Sequence, residues 1–128
     1  MAAVKEGDGW AVGSLDALGE GPGFRKVRAA LGVTAFGVNG VVVPAGYVPR
    51  AHVHDEQQEL YFVHRGRVEM RFGDGAVEVL KEGGLARVDP STPRTFRALG
   101  DEEAVLLVVG GKEGYVGRDA RVVELPPD

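Results

Sequence analysis

The sequence predicts a single all-β domain of sandwich or barrel type, and three observations carry that prediction. Twenty glycines and seven prolines cut the chain into short apolar runs, which is the punctuation of many turns and not of long helices. Between Arg67 and Phe72, the residues Val68, Met70 and Phe72 alternate with Arg67, Glu69 and Arg71, the period of two that a half-exposed strand requires. Gly73-Asp74-Gly75 then turns the chain into residues 76–80 as an antiparallel partner. A chain of 128 residues supports one core that buries about two-thirds of the unfolded surface, with no room for a second domain.

Taken in order, residues 1–23 are expected to form an irregular arm, because Gly7, Gly9, Gly13, Gly19, Gly21, Pro22 and Gly23 interrupt any periodicity. Residues 14–18 fit one short turn. Phe24, Val27, Arg28 and Leu31 follow helical spacing and Gly32 can stop a helix, so a short helix over 24–31 is expected, with a strand as the alternative. Residues 33–44 read as the first long strand. Beyond the 67–80 pair, turns at 81–84, 89–93 and 100–103 separate strands over 85–88, 94–99 and 104–109. The glycine-rich, polar stretch from 110 onward is expected to wrap the surface or a neighbouring subunit. The resulting organisation is an arm over 1–32, a barrel over 33–110 and a tail over 111–128.

Composition excludes several functions. There is no cysteine, hence no disulfide, iron-sulfur cluster, thiolate zinc site or cysteine nucleophile. The N-terminus has no apolar core to serve as a secretion signal, and with the absence of cysteine a cytoplasmic location is expected. Fifteen basic and nineteen acidic residues give a net charge of −4, spread without a footprint for nucleic acid or for an anionic membrane. The densest basic cluster, Arg25-Lys26-Val27-Arg28, reads as a solvated helix face. Ser14 and Ser91, the only serines, lack a nucleophile-elbow context. Gly110-Gly111-Lys112 lacks the rest of a phosphate loop.

The chemistry concentrates in residues 46–66. His52 and His54 lie two apart, on the same face of an extended strand and about 6.6 Å from each other along it. The polar run 55–58 reads as a turn that returns the chain as a second strand, bringing Glu59 beside the histidines. Two imidazoles and one carboxylate make a facial ligand set with open positions, suited to Fe(II), Mn(II) or catalytic Zn(II). His64 fails as a further ligand on parity: it is five residues from Glu59 on one strand and faces the other way. Tyr61 shares the face of Glu59, as core or as a hydroxyl donor to a ligand.

Gly46, five residues, His52, one residue, His54, four residues, Glu59, six residues and Gly66 is similar to the first signature motif of the cupins at every fixed position. The resemblance implies a small double-stranded β-helix, or jelly-roll barrel, in which His52, His54 and Glu59 are ligands of a divalent metal such as Fe, Mn, Zn or Ni. The glycines fit turns at the two ends of the motif. The second cupin motif is degenerate here: Gly83 stands, but Asp89, Ser91, Arg94 and Ala98 occupy the positions of its proline, second glycine, histidine and asparagine. Arg94 therefore replaces the fourth ligand, and a guanidinium has no lone pair to give a metal. Either three residues hold the ion with a more open face, or Arg94 reaches Glu59 and a salt bridge takes the place of the metal.

The resemblance implies a metal-binding cupin that acts on or binds a small organic molecule, with dioxygenase-like chemistry first and a sugar or sugar-phosphate isomerase second. The alternative from a different class is a metal-free module that binds a sugar or small anion. Arg94, Tyr61 and Phe96 are the candidate substrate contacts, each weighed against a purely structural role: an ion pair for Arg94, core for the two rings. A homodimer is expected from edge strands and long arms able to cover one another.

Overall fold

The computed structural model describes residues 3–125; the first two and last three residues of the expected arm and tail lie outside them. In chain order the elements are β1 (Val4–Gly7), β2 (Trp10–Gly13), a 3₁₀ turn (Asp16–Leu18), β3 (Gly23–Arg25), α1 (Val27–Leu31), β4 (Gly37–Val43), β5 (His52–His54), β6 (Gln58–Arg65), β7 (Val68–Phe72), β8 (Val77–Leu80), β9 (Leu85–Val88), β10 (Arg94–Ala98), β11 (Ala104–Gly111) and β12 (Ala120–Val122). One five-stranded sheet has the order β12-β5-β10-β7-β8, and the other β3-β4-β11-β6-β9, with β1-β2 as a separate hairpin. The all-β expectation holds, and the two facing sheets form a jelly roll.

Most connections between β4 and β11 cross from one sheet to the other; β7 to β8 is the in-sheet hairpin read from Gly73-Asp74-Gly75. This corrects one local expectation. Residues 55–57 do not form a hairpin turn: β5 pairs with β10 and β12, whereas β6 pairs with β11 and β9. A polar turn gives the same sequence signal for a return within a sheet as for an arch between sheets. Here the arch places the histidines and Glu59 on opposite walls.

The inward faces obey period two. Glu59, Tyr61 and Val63 on β6 are buried while Gln58, Leu60 and His64 are exposed, as parity requires. Val43, Val63, Val68, Met70 and Leu106 are almost wholly buried at the core, each stabilising by about 1.5–3 kcal/mol.

The arm is more ordered than its glycines indicate. Asp8-Gly9 closes a two-residue hairpin between β1 and β2 with Gly9 at φ 82°, the Asp-Gly signal of such turns. The helix is shorter than 24–31, because residues 23–25 pair with β4 as β3. Ser14 Oγ accepts from the Ala17 N–H at 3.2 Å, consistent with the expected short turn. The first long strand begins only at Gly37, and Gly40 on it is overlain by Leu15 and Arg25.

Gly66 ends β6 with φ 78°, and a Cβ there would lie 2.7 Å from the Glu103 carbonyl oxygen and 3.0 Å from Ala104 Cα. Left-handed backbone costs a non-glycine residue about 1–2 kcal/mol, and the clash with backbone adds to it. Gly66→Ala is expected to lower the midpoint of thermal unfolding by about 5–10 °C. Gly46, also at positive φ but with open space around it, tolerates alanine with a smaller loss.

Candidate metal centre and cavity

β5 carries His52 and His54 on one wall, and β6 brings Glu59 from the other. Their ligating atoms all lie within 4.8 Å of one another, with His54 Nε2 to Glu59 Oε2 at 3.2 Å. All three residues offer a ligand atom close enough to the others to share one ion. Glycine makes the room. Gly110 is the register partner of Glu59 on β11, and a Cβ there would run into the side chains of Gln57 and Glu59. The donor set fits a divalent ion.

A residue that no local motif announced completes the cluster. Asp119, just before β12, accepts a hydrogen bond from His54 Nδ1 at 2.8 Å, from Gln57 Nε2 at 2.6 Å, and from the backbone N–H groups of Glu56 and Gln57 at 3.0 Å each. β12 pairs with β5, setting Ala120 opposite His54. The carboxylate fixes the Nδ1 proton and turns Nε2 inward, the arrangement that orients metal-bound histidines. A carboxylate sixty-five positions from its histidine leaves no periodic trace in the sequence. Only the folded tail reveals it.

Arg94 is fully buried on β10, opposite His52 on β5 and Phe72 on β7. Its Nη1 donates to the Thr92 carbonyl at 2.9 Å and its Nη2 lies 3.5 Å from Glu59 Oε1. Neither Nε nor Nη2 has a hydrogen-bond acceptor among the described residues. Arg94 does not line the cavity described below; the carboxylate it approaches is Glu59. Tyr61 donates to Glu59 Oε1 at 2.7 Å, and Phe96 meets the Tyr61 ring edge-on at 5.9 Å.

These contacts set the charges. Burial drives the His52 pKa down, and the nearby Arg94 and His54 lower it further, leaving the neutral form that ligates metals. Burial also opposes the charged form of His54, but hydrogen bonds to Glu59 and Asp119 outweigh it and raise its pKa. Burial of Glu59 is likewise outweighed, by hydrogen bonds from His54 and Tyr61, so its carboxyl stays below the ordinary range. Asp119 is held well below that range, its burial overcome by the His54 and backbone hydrogen bonds. Burial, then the Glu59 charge, push the Tyr61 phenol well above 10, so it remains a neutral donor.

The signs of these shifts give a stability prediction for the metal-free protein. The raised His54 pKa contributes stability that is fully present below its ordinary value of 6.5 and lost as pH rises through the raised one. The depressed Asp119 pKa contributes stability present above the ordinary 3.8 and lost as pH falls through the lowered one. Their pairing therefore contributes most between about pH 4 and 6.5. Asp119→Asn is expected to lower the thermal midpoint by about 3–6 °C at pH 5.5, a loss of roughly 1 kcal/mol, with a smaller gap at pH 9. A gap that does not change with pH would reduce Asp119 to a cap for the 56–57 backbone.

The cluster forms the floor of a cavity of about 470 Å³, a small-molecule volume. Tyr61, Phe96, Val41 and Val108 give it apolar walls, and it opens between the α1 region and residues 115–120. Among the described residues no helix is long and apolar enough to cross a membrane.

Fold and site together define a double-stranded β-helix protein with an internal His-His-Glu cluster able to hold a metal. The chain belongs to the cupins: the family model for the cupin domain matches residues 40–110. No curated protein matches it significantly. Among solved structures it is similar to a cupin protein from Bacteroides fragilis, at 25% identity over 91% of this chain and 98% of that one with a TM-score of 0.69. It also resembles a double-stranded β-helix protein from Klebsiella pneumoniae, at 23% identity over 70% and 76% with a TM-score of 0.63. A third is a sugar phosphate isomerase of the cupin superfamily from Silicibacter pomeroyi, at 29% identity and a TM-score of 0.62, where 70% of this chain covers 58% of that one.

Proposed function

We propose that this chain is a small metallo-cupin in which His52, His54 and Glu59 hold one divalent ion beneath a cavity that binds a small organic molecule. The observation that carries this reading is the convergence of the three ligating groups within 4.8 Å, with His54 oriented from behind by Asp119. A bound ion would supply Lewis-acid or redox chemistry at its open positions. The chain's own contributions are then clear. Tyr61 fixes the Glu59 oxygen, Asp119 fixes the His54 ring, and Val41, Val108 and Phe96 restrict water around the reacting end of the substrate.

The candidate ions are Fe, Mn, Zn and Ni. Dioxygenase-like chemistry requires a redox ion and isomerisation a Lewis acid, and similarity to a sugar phosphate isomerase brings the second into the first round of assays. Elemental analysis before and after dialysis against chelator tests the proposal: about one ion per chain supports it. No ion, and no uptake of any of the four on addition, overturns it.

A specific observation favours a second reading, a metal-free binding module. His54 already bridges Glu59 and Asp119, and Arg94 stands 3.5 Å from Glu59, so the cluster is largely self-compensated. For either reading we propose a cytoplasmic homodimer. Exposed Leu60 and Leu85 beside Phe62 on the outer face of β6 and β9 form the apolar surface that supports association.

A further inference from the structure

Among the described residues, the charged side chains at the exposed end of the cavity lining are all basic. Lys26, Arg28 and Arg118 line it, and among the lining residues the one carboxylate is Glu59 on the floor, already bonded to Tyr61 and His54. The whole chain has the opposite balance, with nineteen acidic against fifteen basic residues. No carboxylate among the described residues forms a salt bridge with any of the three cations. They come from two separate parts of the chain, the α1 region and the segment before β12. Arg28 lies over the Tyr115 ring at 4.0 Å, a contact that holds a guanidinium by its face and leaves its N–H edge free for a bidentate acceptor.

The sequence placed Lys26 and Arg28 on a solvated helix face together with Arg25. The fold separates them: Arg25 is buried and donates to the Gly21 carbonyl at 2.7 Å, while Lys26 and Arg28 face the cavity.

From this arrangement we infer that the cavity takes a small organic anion, its carboxylate or phosphate group held at the mouth by Lys26, Arg28 and Arg118 and its uncharged end directed toward His52, His54 and Glu59. Apolar walls with cations in the lining suit such a molecule. Three cations around a cavity of about 470 Å³ suit one or two anionic groups and fall short of the run of basic residues that tracks a nucleic-acid backbone. The inference deepens the small-molecule reading and does not depend on the metal.

The test is calorimetric titration at low salt with four probes: glucose 6-phosphate, glucose, malonate and inorganic phosphate. Glucose 6-phosphate is expected to bind at least about tenfold more tightly than glucose, with affinity falling as salt rises. The malonate and phosphate arms distinguish a carboxylate from a phosphate preference. Arg118→Gln and Lys26→Gln change exposed side chains and are expected to keep the wild-type thermal midpoint, measured alongside; the double variant is expected to lose at least about tenfold in anion affinity while its metal content matches wild type. The inference is overturned if glucose binds as well as its phosphate, if no anion saturates, or if the double variant binds anions like wild type. Metal content measured in the same samples separates this failure from failure of the metal reading, and anion binding that survives Glu59→Ala shows that the two stand independently.

Discussion

Glu59→Ala is expected to remove the divalent ion from the purified protein and to lower the affinity of the chelated protein for added metal by more than 100-fold. Changes to residues that only orient a ligand cost about 10- to 100-fold, and Glu59 is itself the one anionic member of the three-ligand set. The loss reaches the metal-free state as well. Tyr61 loses its acceptor, His54 Nε2 loses its partner, and Arg94 keeps a buried charge with no counter-ion beside it. Breaking a buried pair from one side costs about 3–5 kcal/mol, so the thermal midpoint of the variant falls by about 10–20 °C. Glu59→Gln separates the two effects, because its carbonyl still accepts from Tyr61 while its charge is gone. Metal loss with a milder stability loss is expected for Gln. Wild-type metal affinity in either variant would remove Glu59 from the ligand set.

The parts of this site that were legible in the sequence are those fixed by local geometry. The spacing of His52, His54 and Glu59 carried the cluster, and alternation along β6 assigned Tyr61 to the inside and His64 to the outside. What was not legible depends on contacts distant in sequence. The polar run 55–57 contains no signal for whether β5 and β6 share a sheet, because that choice is made by β10, β12 and β11. Asp119 sits in a glycine-rich tail with no alternating pattern, and its role comes only from the pairing of β12 with β5. Lys26 looked like any exposed cation because the wall it faces, around Tyr115 and Arg118, lies some ninety residues further on. The Asp8-Gly9 turn was available as a hairpin signal, but flanking strands of four residues were too short to stand out among the neighbouring glycines.

Arg94→Met and Arg94→His are expected to bind divalent metal more tightly than wild type. With an ion of charge +2, the buried cluster of Glu59, Asp119 and Arg94 sums to +1; without the guanidinium it sums to zero. The charge of Arg94 sits at the ligand set, its Nη2 3.5 Å from Glu59 Oε1 and its backbone paired with His52. A guanidinium beside the ligands repels a cation held by them, so removing it should tighten metal binding by at least about tenfold. Methionine isolates this electrostatic effect because it fills similar space without donors, and it also eliminates the two guanidinium nitrogens that find no acceptor. Burying an unpaired donor costs about 1–3 kcal/mol, which offsets much of the stability lost with the Thr92 and Glu59 contacts. Histidine restores an imidazole at the position opposite His52, and any affinity it gains beyond methionine measures direct ligation. Competition titrations against a chromogenic chelator at fixed pH read all three proteins on one scale. If neither variant binds more tightly than wild type, Arg94 does not weaken the metal site, and its place beside Glu59 is that of a structural counter-ion alone.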